Sequence, residues 1–140
     1  MSNILTDIKA DSIINANQLD DESLKITHLQ AKWIAILHEL NGRQRQAQNA
    51  LNKVVKDRTL YYTGKASDEA YQSEPLIHKV LKTDLATFLE SDDAVIQAKD
   101  ELYTITRDLQ ACELFLKDLS QRSFNIRNAI EYRKFMAGEV

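Results

Sequence analysis

An unbroken series of apolar positions in the last third of the chain constrains its fold more than any other feature. Small or apolar residues recur there at alternating spacings of three and four: Val95, Ala98, Leu102, Ile105, Leu109, Cys112, Leu116, Leu119, Ser123, Ile126 and Ile130. Such spacing keeps one stripe of a helix apolar over about five heptads. We call this stripe the seam, and it predicts a long C-terminal helix over residues 92–136.

The length of that helix bears on how the seam is covered. A helix over residues 92–136 would run about 67 Å, whereas a compact chain of this size has a radius of gyration of only about 14 Å. Because the chain could not shelter the whole helix, sustained heptads favour burial against other subunits. We therefore predict a homo-oligomer whose subunits meet through Leu102, Ile105, Leu109, Cys112, Leu116, Leu119, Ile126 and Ile130.

The rest of the chain is also predicted to be helical. It has only three glycines and one proline among 140 residues, and sheets need such residues at hairpins and bulges. Helical apolar spacing predicts one long amphipathic helix over residues 21–60 and another helix over residues 76–90. Residues 63–70 lack apolar periodicity, which indicates a loop. A short helix or arm is expected within residues 1–20. Residues 91–93 either cap a new helix or interrupt a continuous one.

Length and composition predict a single all-α domain over residues 1–140, with an N-terminal helical part, 1–65, and a C-terminal helical part, 75–140. The beginning of the sequence lacks a basic segment followed by an apolar one, so we expect no signal peptide. The longest apolar run, residues 33–37, is too short to span a bilayer. The lone Cys112 has no cysteine partner. We expect a soluble cytoplasmic protein with no membrane partner.

No catalytic or metal-binding pattern is visible in the sequence. The glycines stand far apart, at positions 42, 64 and 138, so neither a phosphate-binding loop nor a dinucleotide fingerprint can be formed. The three histidines lack metal-ligand spacing. Cys112 has no adjacent base and lies in the seam, where we expect it to be a small buried apolar group. We therefore expect no enzyme activity, no metal and no cofactor.

Charge is distributed unevenly along the chain, although the net charge is only −3. Residues 43–65, which we call the basic segment, carry six basic side chains against Asp57 alone, a net charge of +5. Residues 1–42 and 66–101 are acidic, with net charges of −3 and −6. Clustered charge produces a local field that the net charge hides. An acidic chain of this kind can therefore still bind nucleic acid.

The basic segment combines cations with aromatic rings, as sites for single-stranded nucleic acid do. Cations neutralise phosphates while rings stack on unpaired bases. On an ideal helix Arg45 and Lys56 share one narrow face, with Lys53 at its edge. Two adjacent tyrosines follow between two further basic residues. The candidate residues are Arg45, Lys53, Lys56, Arg58, Tyr61, Tyr62 and Lys65.

An alternative interpretation of the same residues is a solvated helix face that ends in two packing tyrosines. Lysine and arginine faces are common on soluble helices, and composition alone favours this alternative. Arg58 adds a complication, because a continuing helix would place it near the apolar face. It would share a surface with Lys56 only if the helix ended or unwound there.

Three short segments of the sequence are similar to a known family. Residues 56–65, KDRTLYYTGK, resemble the K-x-R-x-x-Y-Y-x-G-[KR] segment of the UvsY recombination mediators of tailed phages. Residues 121–127, QRSFNIR, and 133–138, RKFMAG, resemble that family's RSF-x-I-[KR] stretch and closing F-x-AG. Residues 31–33, AKW, match a third, shorter segment. The segments occur in the same order, so the resemblance covers nearly the whole chain.

The resemblance implies a non-catalytic recombination mediator that works in the cytoplasm of an infected bacterial host. Such proteins bind single-stranded DNA coated by the phage single-strand-binding protein, loosen that coat and help load the phage RecA-like recombinase. They form rings of six or seven subunits, assembled largely through the C-terminal part.

The resemblance also assigns residues. It implies that Lys56 and Arg58 bind DNA, with Tyr61, Tyr62 and Lys65 included by neighbourhood only. Residues 66–70, ASDEA, depart from the glycine-rich, charged loop that family members can carry there. A competing hypothesis, based on the heptads alone, is a coiled-coil scaffold or assembly protein that does not bind DNA.

Overall fold

The computed structural model describes residues 3–138, and every regular element in that range is an α-helix. The predicted all-α class is therefore confirmed. The elements are α1 (Ile4–Asp11), α2 (Leu19–Tyr62), α3 (Asp68–Ser73), α4 (Leu85–Glu90) and α5 (Asp93–Met136).

Two helices of 44 residues each, α2 and α5, make up most of the chain. Their bounds confirm the long helices predicted over residues 21–60 and 92–136. After α2, Gly64 adopts a φ of 77°, and the amide of Lys65 donates to the carbonyl of Leu60 at 2.8 Å. This is a glycine C-terminal cap of the Schellman type. Gly138, with a φ of 78°, follows α5 as a second glycine in the left-handed region.

The helix predicted over residues 76–90 is wrong for most of its length. Only α4 is helical, and residues 76–84 contain no helix. Ile77 and Leu81 are exposed, so the apolar face expected from their spacing has no surface to pack against. A short helix without such packing does not repay the cost of nucleation.

The loop predicted over residues 63–70 is also wrong at its end, where α3 begins. The hydroxyl of Ser67 accepts a hydrogen bond from the amide of Ala70 at 3.3 Å, and two acidic residues occupy the first turn. A serine cap followed by carboxylates is a standard helix start, which apolar periodicity does not detect.

By packing, the chain divides into two compact units, one formed by Met1–Asn41 with Arg107–Val140 and the other by Gly42–Thr106. We call them unit 1 and unit 2. Each of the predicted parts, 1–65 and 75–140, contributes to both units, because α2 and α5 each pass from one unit to the other. The single domain over 1–140 stays a prediction.

In unit 1 the first half of α2 packs antiparallel against α5. Trp33 and Leu40 form one buried cluster with α5 residues Leu109, Cys112, Phe115 and Leu119, and Leu19 and Ile26 form a second cluster with Ile126. The rings of Trp33 and Phe115 meet edge to face, with centroids 5.1 Å apart. Burial of these apolar side chains is the main stabilising contribution to the unit.

The seam therefore packs largely within its own chain. Four seam residues are buried: Leu109, Cys112, Leu119 and Ile126. Leu116 is partly buried and packs against the first cluster. Ile130 is partly buried against the second cluster, and Leu102 and Ile105 are half-buried within unit 2. Within unit 1 the seam is sheltered by the first half of α2, from the same chain. Assembly of subunits through the seam stays a prediction.

Cys112 is fully buried in the core of unit 1, as expected for a small apolar group. Its thiol donates to the carbonyl of Trp33 at 3.5 Å. Burial, with a smaller contribution from the charge of Glu113, raises the pKa of the Cys112 thiol. The reactive thiolate is therefore disfavoured.

A partly buried polar cluster joins α1 to the two long helices of unit 1. Asp11 Oδ2 accepts from Lys32 Nζ at 2.7 Å and from Trp33 Nε1 at 2.9 Å. Arg122, which is buried, donates to the carbonyl of Asp11 at 3.1 Å. Burial alone would raise the pKa of Asp11, but hydrogen bonds from Lys32 and Trp33 and the charges of Lys32 and Arg122 lower it. Residues from two of the segments that resemble the family thus meet at Asp11.

Candidate nucleic-acid interface

Arg58 lies near the C-terminal end of α2 and makes a set of directed contacts within unit 2. Its Nε donates to Asp92 Oδ2 at 2.7 Å, and its Nη1 and Nη2 donate to Glu74 Oε2 and Oε1, both at 3.1 Å. Its guanidinium carbon lies 4.3 Å from the ring centroid of Tyr61 and 5.2 Å from that of Tyr62. The bonds to Glu74 raise the pKa of Arg58 far above its usual value. Arg58 therefore stays charged at any pH at which the protein is folded.

Asp92 connects this site to the start of α5. Its Oδ1 accepts from the amides of Ala94 and Val95 at 3.0 and 3.1 Å, so it caps the helix. Its Oδ2 accepts from Arg58 and from the hydroxyl of Tyr62, the latter at 2.6 Å. Burial alone would raise the pKa of Asp92, but hydrogen bonds from Tyr62, Arg58 and the amide of Val95 lower it. Of the two alternatives left open for residues 91–93, the new helix cap is the observed one.

The two adjacent tyrosines are packed into the same site. Tyr61 is buried and stacks on Tyr71, with centroids 5.4 Å apart, and the hydroxyl of Tyr71 donates to the carbonyl of Tyr61 at 2.7 Å. Tyr62 is half-buried and packs against Phe88, with ring centroids 5.6 Å apart. Burial is the main cause that raises the pKa of both tyrosines. Their faces are occupied by protein groups in this state.

The other four candidate residues are exposed. Arg45, Lys53 and Lys56 lie on α2, and Lys65 follows its C-terminal cap. Within residues 3–138 none of these four side chains forms an ion pair or a hydrogen bond to a protein group. We call Arg45, Lys53 and Lys56 the exposed basic face.

The structure thus divides the seven candidates into two groups. The exposed basic face and Lys65 are free to meet a ligand, whereas Arg58, Tyr61 and Tyr62 are held by internal contacts. Because α2 continues to Tyr62, Arg58 and Lys56 stand about 200° apart around its axis and do not share a surface. The alternative of packing tyrosines describes Tyr61 well. A role in DNA binding stays a prediction for all seven.

Sequence reasoning missed two residues that organise this site, Glu74 and Tyr71, and placed Asp92 only within a possible helix cap at residues 91–93. Asp92 had a signal, because an aspartate one residue before a helical pattern is a typical cap. Glu74 and Tyr71 had none, since Arg58 lies 16 residues from Glu74 and Tyr61 lies ten residues from Tyr71. Their roles depend on how the segment after α2 folds back.

No group of three or more histidine, cysteine, aspartate or glutamate side chains within residues 3–138 could hold a metal ion. None of the helices described is long and apolar enough to cross a membrane.

Two solved structures of one phage recombination mediator share this fold. The crystal structure of the bacteriophage T4 recombination mediator protein UvsY in lattice type I matches with a TM-score of 0.83 and 21% identity, covering 96% of this chain and 99% of that one. The lattice type II structure matches with a TM-score of 0.82 and 22% identity, covering 96% and 95%. At such identity the likeness establishes the fold.

The family follows from the sequence. The family model described as "Recombination, repair and ssDNA binding protein UvsY" matches residues 7–139, nearly the whole chain. This chain therefore belongs to the UvsY family, a family of bacteriophage recombination mediators. No curated protein matches the chain significantly.

Proposed function

We propose that this protein is a recombination mediator that binds single-stranded DNA through its exposed basic face and Lys65. Membership of the UvsY family supports the general role. The observation that carries the DNA-binding step is that Arg45, Lys53, Lys56 and Lys65 are exposed and form no ion pair within residues 3–138. A phosphate can approach these cations without first displacing a carboxylate.

Arg58, Tyr61 and Tyr62 take a supporting part in this proposal. Their mutual contacts and the bond from Arg58 to Asp92 fix the last turn of α2. Lys65 follows directly after the cap of this helix, so its position is fixed as well. Direct contact of Arg58 with DNA needs a change in its contacts with Glu74. The exposed basic face needs no such change, so it forms the first encounter with the strand.

We propose that binding proceeds without catalysis and leads to two mediator steps, loosening of the phage single-strand-binding protein and loading of the RecA-like recombinase. These steps require that the protein release the strand after holding it. The exposed basic face and Lys65 give each subunit only a modest contact with the DNA backbone. Several subunits in a ring add such contacts by multivalency. The proposed place of action is the cytoplasm of the infected bacterial host.

We also propose that the protein forms a homo-oligomeric ring of six or seven subunits through α5. Several seam residues are occupied by packing within the chain, so the subunit contact needs other apolar side chains. Within unit 1, α5 exposes Leu114, Phe124, Tyr132 and Phe135. On an ideal helix they fall within about 80° of one another and away from the buried seam. We call these four the exposed stripe and assign it to the subunit contact.

A titration of a labelled oligo(dT) with the protein over a range of salt concentrations tests the DNA-binding proposal. Binding should weaken steeply with salt, with a slope of about −0.7 for each phosphate neutralised. The competing scaffold hypothesis predicts no binding at any salt concentration. Undetectable binding or salt-independent binding would therefore contradict the proposed function.

A further inference from the structure

Arg58 already holds a carboxylate in the geometry by which arginine holds a phosphate. Its two terminal nitrogens donate to the two oxygens of Glu74, both at 3.1 Å. Paired parallel bonds of this kind are shared by arginine–carboxylate and arginine–phosphate contacts. We propose that Glu74 occupies, in the DNA-free protein, the site where Arg58 binds a backbone phosphate of single-stranded DNA. This inference rests on the proposed function and adds an internal competitor that regulates it.

The guanidinium of Arg58 is anchored independently of Glu74. Its Nε bonds to Asp92, whose side chain is only 4% exposed, at 2.7 Å. The rings of Tyr61 and Tyr62 lie against it at 4.3 and 5.2 Å. The two terminal nitrogens therefore keep their positions when Glu74 leaves. Asp92 and the tyrosines act as positioning residues for a preorganised phosphate site.

Glu74 is the partner best able to leave. Its side chain is 59% exposed, against 20% for Arg58. It follows α3 as the C-cap residue in extended conformation, and Pro75 and a non-helical stretch to residue 84 come next. An exposed ion pair is screened by water and salt and contributes little stability. Rotation of one exposed side chain is thus enough to open the site.

The opened site would remain weak, because the other charged groups that line it are acidic. The pocket beside Arg58 is also lined by Asp92 and Asp93, and no other cation lines it. Arg58 is the only positive charge in this pocket. A bound phosphate would form one bidentate contact with Arg58 and would be repelled by the nearby carboxylates. A weak contact that Glu74 can reclaim suits a protein that must hand the strand to a recombinase.

The test compares two glutamates that lie close in sequence. Glu74→Gln removes the competing charge with little change in shape. Glu69→Gln removes the same charge from an exposed residue of α3 that makes no contact with Arg58. Anisotropy titration of labelled oligo(dT) with each full-length variant at one salt concentration gives Kd. We expect Glu74→Gln to lower Kd about two- to fivefold, the strength of an exposed pair, and Glu69→Gln to change it less.

A second background ties the effect to Arg58. Lysine keeps the charge but cannot form the fork, so in an Arg58→Lys protein Glu74→Gln should change Kd no more than Glu69→Gln does. An equal effect of the two glutamine variants, weaker binding by Glu74→Gln, or the same gain in the Arg58→Lys background would overturn the inference. If wild type binds and Glu74→Gln changes nothing, the proposed function survives alone. If neither protein binds, both proposals fail.

Discussion

The guanidinium of Arg122 is buried and donates to the backbone carbonyl of Asp11, 3.1 Å away, so a side chain of α5 holds the end of α1. Arg122→Ala should leave that carbonyl without its partner and lower the free energy of unfolding by about 1–3 kcal/mol. Urea unfolding followed by the fluorescence of Trp33, the only tryptophan, measures the change. Arg127→Ala, at an exposed position on the same helix, should change it by less than about 0.5 kcal/mol.

The Arg122→Ala variant also distinguishes a structural role from a DNA-binding role for Arg122, which lies in one of the segments that resemble the family. Arg122 has a structural role, so Arg122→Ala protein that is still folded at low temperature should bind oligo(dT) as wild type does. A large loss of DNA binding with unchanged stability would show that Arg122 contacts the strand instead.

Asp92→Asn should destabilise the protein by about 2 kcal/mol. The asparagine oxygen can still cap α5, but its amide then faces the Nε–H of Arg58 and the hydroxyl of Tyr62, both of which are donors to Asp92. Urea unfolding measures the loss. Asp93→Asn removes the same charge from an exposed neighbour and should cost less than about 0.5 kcal/mol. Equal effects of the two variants would contradict the assigned role of Asp92.

Stability should fall in acid because the pKa values of Asp11 and Asp92 lie below their usual 3.8 in the folded protein. The unfolded chain then binds protons first, so the ionised carboxylates contribute fully above about pH 5 and lose that contribution as pH drops through the lowered values. The free energy of unfolding measured from pH 7 downward should decline in this window. The free energy of unfolding of the Asp92→Asn variant should decline less over this range. A decline with the same slope as wild type would contradict the lowered pKa assigned to Asp92.

The two apolar faces of α5 should respond differently to charge. Leu109→Asp places a carboxylate beside Trp33 in the core of unit 1 and should unfold the protein, because an unpaired buried charge is costly. Leu114→Asp, on the exposed stripe, should dissociate the oligomer and leave the helices folded. Light scattering and circular dichroism distinguish these outcomes. An intact oligomer for Leu114→Asp, or a folded monomer for Leu109→Asp, would return the subunit contact to the seam.

Local patterns in the sequence predicted the long helices well. The apolar spacing from Val95 to Ile130 lies within one real helix, α5, because periodicity is a property of neighbouring residues. The failure at residues 76–84 has the opposite cause. Ile77 has helical spacing but nothing to pack against, and only the folded chain decides that.

The candidate site was predictable in its composition but not in its geometry. The sequence pointed to both Lys56 and Arg58 as DNA-binding candidates. In the folded helix the two side chains lie on different sides of α2. The ion pairs of Arg58 reach 16 and 34 residues along the chain, to Glu74 and Asp92. Contacts at such separations depend on the tertiary fold, so no local pattern reports them.

Paired lysine variants in the salt titration of oligo(dT) test whether the exposed basic face binds DNA. Lys53→Ala with Lys56→Ala removes two cations of the exposed basic face, and Lys99→Ala with Lys117→Ala removes two exposed cations of α5 as a matched control. The first pair should weaken binding and make the salt slope shallower by about 1.4 per bound subunit, whereas the control should bind as wild type. Equal behaviour of the two pairs would contradict DNA binding through the exposed basic face.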